Sequence, residues 1–222
     1  LRLLIRSSFH QMMQAARYIL RSPAAMVIIL TGLLFDSFLR LFYTVGSNYY
    51  RLLGIDEAWN GVILAASSIL GIGTALMVEK LVGKATPSRN MGMVAVLILI
   101  GLSGISLMIP GWVGVLFVVP FWLGMRSLHY FISQYLNRVS EPSTRATVLS
   151  FKGLTMNLAY GTIMLAYQAQ TWALRTSEKE VMAGMDKQQT DMHLLAVAMP
   201  WWPWVFGTLA VALAVGIRLK FG

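Results

Sequence analysis

Long apolar runs, separated by short polar segments, recur along the whole chain. A helix needs about 20 predominantly apolar residues to cross a hydrocarbon core of about 30 Å. Each run reaches roughly that length, and soluble domains do not repeat such runs at regular spacing. The pattern therefore predicts six transmembrane helices, at residues 23–49, 58–78, 91–109, 112–137, 146–172 and 194–217.

Composition supports the same class, because the mean hydropathy is +0.65 and only 12% of the residues are charged. A net charge of +9 would favour nucleic acid as the partner of a soluble protein. Here the basic residues flank apolar runs, so we predict an all-α integral membrane protein that contacts lipid and binds no nucleic acid. The chain has no cysteine, and its three histidines lie in separate segments, so we expect no metal and no cofactor.

Charge asymmetry predicts the orientation. Six spans put both ends of the bundle (residues 23–218) on one side of the membrane. Twelve basic residues flank the spans on that side and four on the other, a positive-inside bias that predicts cytoplasmic termini in a bacterial inner membrane or a plasma membrane. Residues 1–22 are predicted as a cytoplasmic amphipathic linker helix that either lies on the leaflet or connects segments, and residues 219–222 as a tail. The twelve are Arg2, Arg6, Arg17, Arg21, Lys80, Lys84, Arg89, Arg138, Arg145, Lys152, Arg218 and Lys220, and the four are Arg51, Arg175, Lys179 and Lys187.

Charged residues inside the membrane occur only in the first and fourth predicted spans. Asp36 and Arg40 lie in the first, and Arg126 lies with His129 in the fourth. An arginine at the centre of a span costs about 2.5–3.5 kcal/mol on insertion scales, so it normally faces protein or a watery cavity. Two structural interpretations compete with a functional one: Asp36 and Arg40 pair at i,i+4, and Arg126 extends to the membrane surface.

Polar residues at helical spacing extend these charges into stripes. We expect a substrate or coupling-ion site on these stripes, with Arg126 as the favoured contact because no acid lies on its own helix. An anionic group of the substrate, an acid from another part of the protein, or protonation-linked exchange with Asp36 could each neutralise it. His129 either senses a proton or is a neutral, hydrogen-bonded histidine. The candidate site residues are Asp36, Arg40, Tyr43, Arg126, His129, Ser133 and Asn157.

The spans also repeat in threes. The first and fourth carry the charges, the second and fifth carry small residues with some polar ones, and the third and sixth are almost purely apolar. Because the first span runs outward and the fourth runs inward, the triplets have opposite topology. This predicts an inverted 3+3 repeat, the arrangement found within each half of certain secondary transporters.

Two sequence motifs carry a family resemblance. Residues 135–138 (YLNR) followed by residues 142–150 (PSTRATVLS) resemble the loop between the tenth and eleventh helices of major facilitator superfamily transporters. Residues 75–84 (ALMVEKLVGK) resemble a degenerate copy of that family's motif of glycine, acid and basic residues. Ala75 replaces the usual glycine, Glu79 replaces the usual aspartate, and one residue is inserted before Gly83.

The resemblance implies the C-terminal six-helix half of a secondary active transporter, a major-facilitator half bundle that moves a small solute by alternating access. Its partner would be the N-terminal six-helix half. The alternative is a non-transporting membrane scaffold or receptor-like subunit. An intramembrane hydrolase is disfavoured, because Ser127 and His129 point to different helix faces and no Gly-x-Ser-x-Gly motif occurs, so we expect no enzyme. Gating-loop residues are predicted at Glu79, Lys80, Lys84, Arg138 and Arg145, where ordinary charge anchors are the alternative.

Overall fold

The computed structural model describes residues 13, 16, 17, 19–142 and 144–221 of the chain. Throughout that part the regular secondary structure is helical. From Pro23 onward, eight α-helices follow one another, with short 3-10 helices at Glu57–Trp59 and Met199–Trp201. They are α1 (Pro23–Leu52), α2 (Asn60–Lys84), α3 (Pro87–Ser106), α4 (Trp112–Leu116), α5 (Val119–Val139), α6 (Arg145–Ser177), α7 (Lys187–Ala198) and α8 (Trp202–Phe221).

Five helical stretches are long and apolar enough to cross a membrane: Pro23–Leu52, Glu57–Lys84, Pro87–Ser106, Trp112–Val139 and Lys187–Lys220. They confirm the predicted all-helical, membrane-type class. The predicted fifth span lies within α6, which has 33 residues but is not among the five. Asn157, Gln168 and Gln170 interrupt its apolar sequence. The six-helix bundle with a 3+3 repeat therefore stays a prediction.

Proline and a hydroxyl cap start two of these helices. The side chain of Ser22 accepts a hydrogen bond from the backbone N–H of Ala25 at 3.3 Å, and Pro23 is the first residue of α1. Thr86 caps α3 in the same way, ahead of Pro87. A proline fits the first turn of a helix because its missing N–H would have no intrahelical acceptor there.

Two predicted spans are interrupted in the structure. The predicted helix at 112–137 is divided into α4 and α5, with Pro120 in the first turn of α5. The predicted span at 194–217 is divided by a 3-10 turn that contains Pro200, before α8. Proline lacks the N–H and crowds the preceding turn, so a continuous helix is disfavoured at both places.

The segment between the predicted fifth and sixth spans, residues 173–193, is partly helical, although its charged residues indicate a solvated loop in the sequence; the structure corrects that interpretation. Helix α6 continues to Ser177, and α7 begins at Lys187. The side chain of Asp186 accepts from the backbone N–H of Gln189 at 2.8 Å, and the side chain of Gln189 accepts from the backbone N–H of Asp186 at 3.0 Å. This capping box stabilises a helix start within a segment whose charges suggested a loop.

The predicted loop after the second span is also largely helical, and this too is a correction. Glu79, Lys80 and Lys84 lie in the last turns of α2, because no proline interrupts the sequence before Pro87. Arg138 lies in the last turn of α5, and Arg145 is the first residue of α6. The predicted linker helix lies mostly outside the described residues, since 1–12, 14, 15 and 18 are not described; the described residues of 13–21 are helical.

Helices α1 and α5 form the centre of the bundle. They pack on each other; α1 also packs on α6, α7 and α8, whereas α5 also packs on α2 and α3. Phe42 of α1 and Phe121 of α5 stack with ring centroids 4.6 Å apart. Phe121 in turn lies against Gly101 of α3, where a Cβ would come within 2.6 Å of the ring. Helices α2 and α8 expose large apolar side chains such as Ile72 and Leu219, a surface suited to contact with lipid.

Candidate functional site

The most deeply buried charge among the described residues is the carboxylate of Asp36 in α1, whose side chain is 0% exposed. Its Oδ2 lies 2.9 Å from Nε of Arg40, one turn further along α1. Its Oδ1 lies 2.9 Å from Nε2 of His129 in α5. The side chains of Arg40 and His129 are 31% and 40% exposed, so the acid is held inside while both bases reach the open side of the helices.

The geometry of this cluster is charge pairing rather than aligned hydrogen bonding. Both oxygens of Asp36 are buried, yet neither accepts a hydrogen bond of acceptable angle from the described residues, although the nitrogens of Arg40 and His129 are close. A buried carboxylate normally needs both a counter-charge and aligned donors to offset its desolvation. Asp36 therefore relies on Arg40 as its counter-charge, with His129 as its second close neighbour.

Arg40 joins this pair to a third helix. Its Nη1 donates to Oδ1 of Asn157 in α6 at 2.7 Å, and its Cζ lies 5.8 Å from the ring centroid of Tyr160, within cation–π range. The hydroxyl of Tyr160 also shares a hydrogen bond of 2.7 Å with the hydroxyl of Thr44. Three helices that are distant in sequence therefore meet through polar side chains at one place.

Arg126 has a different environment from Arg40. It is exposed on α5, and it forms no hydrogen bond or ion pair within the part of the chain that the structure describes. Its side chain runs along α2, so closely that a Cβ on Gly71 would come 3.0 Å from its Nε. It is within electrostatic reach of the hydroxyl of Tyr43 on α1. The guanidinium thus lies beside the polar face of α1, and its N–H groups have no acceptor among the described residues.

Lys152 belongs to the same polar face, although the sequence interpretation counted it among the charge anchors at the membrane surface. It lies in α6, where its Nζ donates to Oγ of Ser133 in α5 at 3.2 Å. Ser133 follows His129 by one helical turn, and the ammonium group is within electrostatic reach of Asp36. Only its position seven residues inside the predicted fifth span could have indicated this role.

The structure therefore brings most of the predicted site residues to one open face of α1, α5 and α6. Asp36, Arg40, His129 and Asn157 are linked directly, Ser133 is linked to Lys152, and Tyr43 and Arg126 adjoin them. The predicted gating residues do not join this cluster by any hydrogen bond or ion pair between described residues. They lie in terminal turns of α2, α5 and α6: Glu79, Lys80, Lys84, Arg138 and Arg145.

Two small cavities flank the polar face of α1. One of about 240 Å³ lies between α1, α2 and α5, and its walls include Tyr43, Ser47 and Trp122. The other, of about 230 Å³, lies between α1, α6 and α7, and its walls include Thr44 and Gln168. Solvent-sized space thus adjoins the polar side chains on both sides of the helix that carries Asp36.

The described residues contain no group of three or more His, Asp or Glu side chains arranged to hold a metal ion. Comparison with protein-family models, with curated proteins and with solved structures finds no match. The functional argument therefore rests on the geometry of the polar face.

Proposed function

We propose that this chain is the C-terminal six-helix half of a secondary active transporter of the major facilitator type, which moves a small solute by alternating access. The observation that carries the proposal is the buried Asp36 carboxylate, paired to Arg40 on its own helix and to His129 on α5, with Asn157 on α6 tied to the same arginine. Ionisable groups within membrane-crossing helices are costly, and they commonly mark the path of a solute or an ion.

Helix packing supports the inverted repeat on which the proposal depends. The first triplet consists of α1, α2 and α3, and the second of α5, α6 and α7 with α8. The first helix of each triplet packs on the second helix of the other, α1 on α6 and α5 on α2. The first helix of each triplet also packs on the third helix of the other: α5 packs on α3, and α1 packs on α7 and α8. If the two triplets are exchanged, the contact of α1 with α6 becomes that of α5 with α2, and the contact of α5 with α3 becomes that of α1 with α7 and α8. An inverted repeat has this property, and in such folds the solute site lies where the repeats meet, near the middle of the membrane.

The polar cluster suits a site that must release and re-form its contacts. Arg40 and His129 are both partly exposed, so an incoming group can reach the two bases that face Asp36. If a proton is the coupling ion, Asp36 and His129 are the titratable pair inside the cluster. Rocking of the bundle would then alternate which side of the membrane has access to this face. The space opposite the face would be lined by the other six-helix half, which we propose as its partner.

The test compares two arginines in proteoliposomes made with the complete polypeptide in which this chain occurs. We expect Arg126→Gln to abolish solute uptake while expression and folding are retained, because this side chain has no partner among the described residues that its loss would orphan. We expect Arg40→Gln mainly to lower stability, since it leaves a buried carboxylate with one partner. Arg51→Gln is the matched control, because Arg51 pairs with Glu57 at a helix end. If Arg126→Gln destabilises and Arg40→Gln abolishes uptake, the stripe of Asp36 is the solute contact. Uptake unaffected by either change would contradict the assignment of both arginines to the solute path, whereas no uptake by the unchanged protein, with both changes affecting only stability, would favour a scaffold.

A further inference from the structure

The polar face carries more positive than negative charge. Arg40, Arg126 and Lys152 are the basic side chains at this face among the described residues, and Asp36 is the acid there, so three protonated bases against one carboxylate leave an excess of two positive charges. His129 adds to the excess whenever it is protonated. The other eight of the nine acidic residues lie near helix ends or in connections: Asp56, Glu57, Glu79, Glu141, Glu178, Glu180, Asp186 and Asp191. Among the described residues, therefore, no second acid lies at this face.

Lys152 is the less expected of the two surplus cations. It lies seven residues after the first residue of α6, which is about 10 Å along the helix axis. Its one hydrogen bond to a described residue goes to Ser133, a neutral hydroxyl. An ammonium group has three donors, so two are left for a ligand. Among the described residues no carboxylate lies within ion-pair distance of Lys152, and Asp36 acts on it only from further away. A half-buried cation of this kind is costly, and an anion that binds there reduces the cost.

Arg126 and Lys152 are placed at two ends of one row. On α5, Arg126, His129 and Ser133 follow at i, i+3 and i+7, so they share a face. Arg126 and the serine that holds Lys152 are thus seven residues apart, about 10 Å along the axis. His129 lies between them, and its Nε2 is occupied by Asp36. Two separate cationic ends with a polar middle fit a ligand that carries an acidic group at each end.

We propose that the solute is an elongated organic dianion, with one acidic group bound by Arg126 and the other by Lys152. The inference rests on the proposed function, which it deepens by assigning a substrate class. Arg40 is not part of this contact, because Asp36 already neutralises it at 2.9 Å. A compact inorganic anion could reach only one end of the row, and a cation would meet the excess positive charge. Lys152 becomes a solute-binding residue in addition to those that the sequence indicated.

The test measures equilibrium binding, so that it does not depend on transport. It uses the complete polypeptide in which this chain occurs, purified into lipid nanodiscs. The probes are straight-chain dicarboxylates from malonate to sebacate, monocarboxylates of equal length, and diamines of equal length. We expect affinity to pass through a maximum at an intermediate dicarboxylate length, with monocarboxylates about 10- to 100-fold weaker, the range for one charge-assisted contact. Diamines should not bind.

Substitutions at Lys152 then locate the second acidic group. Lys152→Gln should weaken the best dicarboxylate by about 10- to 100-fold and leave the matching monocarboxylate nearly unchanged, so that the length preference disappears. Lys152→Arg retains the charge and should retain a length preference, which also guards against a variant that fails to fold. Lys187→Gln, an exposed lysine at the start of α7, is the control and should bind as the unchanged protein does.

Three results would overturn the inference: equal affinity for dicarboxylates and monocarboxylates, a Lys152→Gln variant with an unchanged length preference, or binding of the diamines. Charge-independent binding would indicate that an acid elsewhere in the protein neutralises the surplus cations. These outcomes differ from failure of the proposed function, in which proteoliposomes take up no solute of any charge. Uptake of neutral or cationic solutes without dicarboxylate binding would contradict only the dianion assignment.

Discussion

Breaking the Asp36–Arg40 pair from its two sides should have unequal effects on stability. Arg40→Gln leaves a carboxylate that is 0% exposed, with His129 as its remaining partner at 2.9 Å. Asp36→Asn leaves an arginine that is 31% exposed and still bonded to Asn157. The group that loses its partner is buried in the first variant and half-buried in the second, and this difference sets the direction of the prediction.

The magnitudes follow from what each change leaves behind. Removing one partner of a buried ion pair costs about 3–5 kcal/mol. Because His129 still faces Asp36, we expect Arg40→Gln to cost about 3 kcal/mol, at the lower end of that range. Partly exposed pairs contribute about 0–1 kcal/mol, so Asp36→Asn should cost about 1 kcal/mol. The double variant has no buried carboxylate, so it should also cost about 1 kcal/mol and thereby rescue Arg40→Gln by about 2 kcal/mol.

The assay is reversible unfolding in mixed micelles with increasing sodium dodecyl sulfate, followed by circular dichroism. The exposed pair of Arg51 and Glu57 serves as the control, and Arg51→Gln should cost less than about 1 kcal/mol. The reasoning is refuted if Asp36→Asn destabilises more than Arg40→Gln does. It is equally refuted if the double variant is less stable than Arg40→Gln alone, because Asp36 would then be stabilised by something other than Arg40.

Three further predictions test packing, the loop after α5 and the need for a second half. Gly101→Ala should cost about 1–3 kcal/mol in the same unfolding assay, since its Cβ would meet the ring of Phe121 at 2.6 Å; Gly73→Ala, with open space around it, should cost nothing. Arg145→Lys retains charge but loses the planar fork, so it should slow uptake without changing topology as mapped by accessibility labelling; equal rates would identify an ordinary anchor. The chain reconstituted alone should show no uptake and no stable monomer by light scattering, because its polar face would meet lipid; an active monodisperse monomer would contradict this.

Some of the site could be read from sequence, because it depends on spacing along one helix. Asp36 and Arg40 are at i,i+4, so their contact follows from helix geometry alone. The contact of Arg40 with Asn157 joins residues 117 positions apart, and it depends on how α1 and α6 are rotated against each other. The pairing of His129 with Asp36 is of the same kind. Spacing placed these residues on polar stripes but could not show which stripes would meet.

Lys152 shows how a rule that usually holds can misplace a side chain. Basic residues near the ends of spans are normally interfacial anchors, and Lys152 lies close enough to such an end to be counted with them. Its side chain instead turns toward α5 and reaches Ser133. Lysine has a long flexible stem, so the position of its backbone does not determine where its charge lies.

The membrane class and the approximate positions of the apolar spans were determined by the sequence itself. Hydropathy and helical periodicity act over a few residues, so their effect does not depend on what packs nearby. The partners of the buried charge were decided only by tertiary structure. Asp36 contacts Arg40 and His129, whereas Arg126 and Lys152 form no ion pair with any described acid. The rotation and spacing of α1, α5 and α6 bring the first two side chains within 3 Å of Asp36 and keep the others further away.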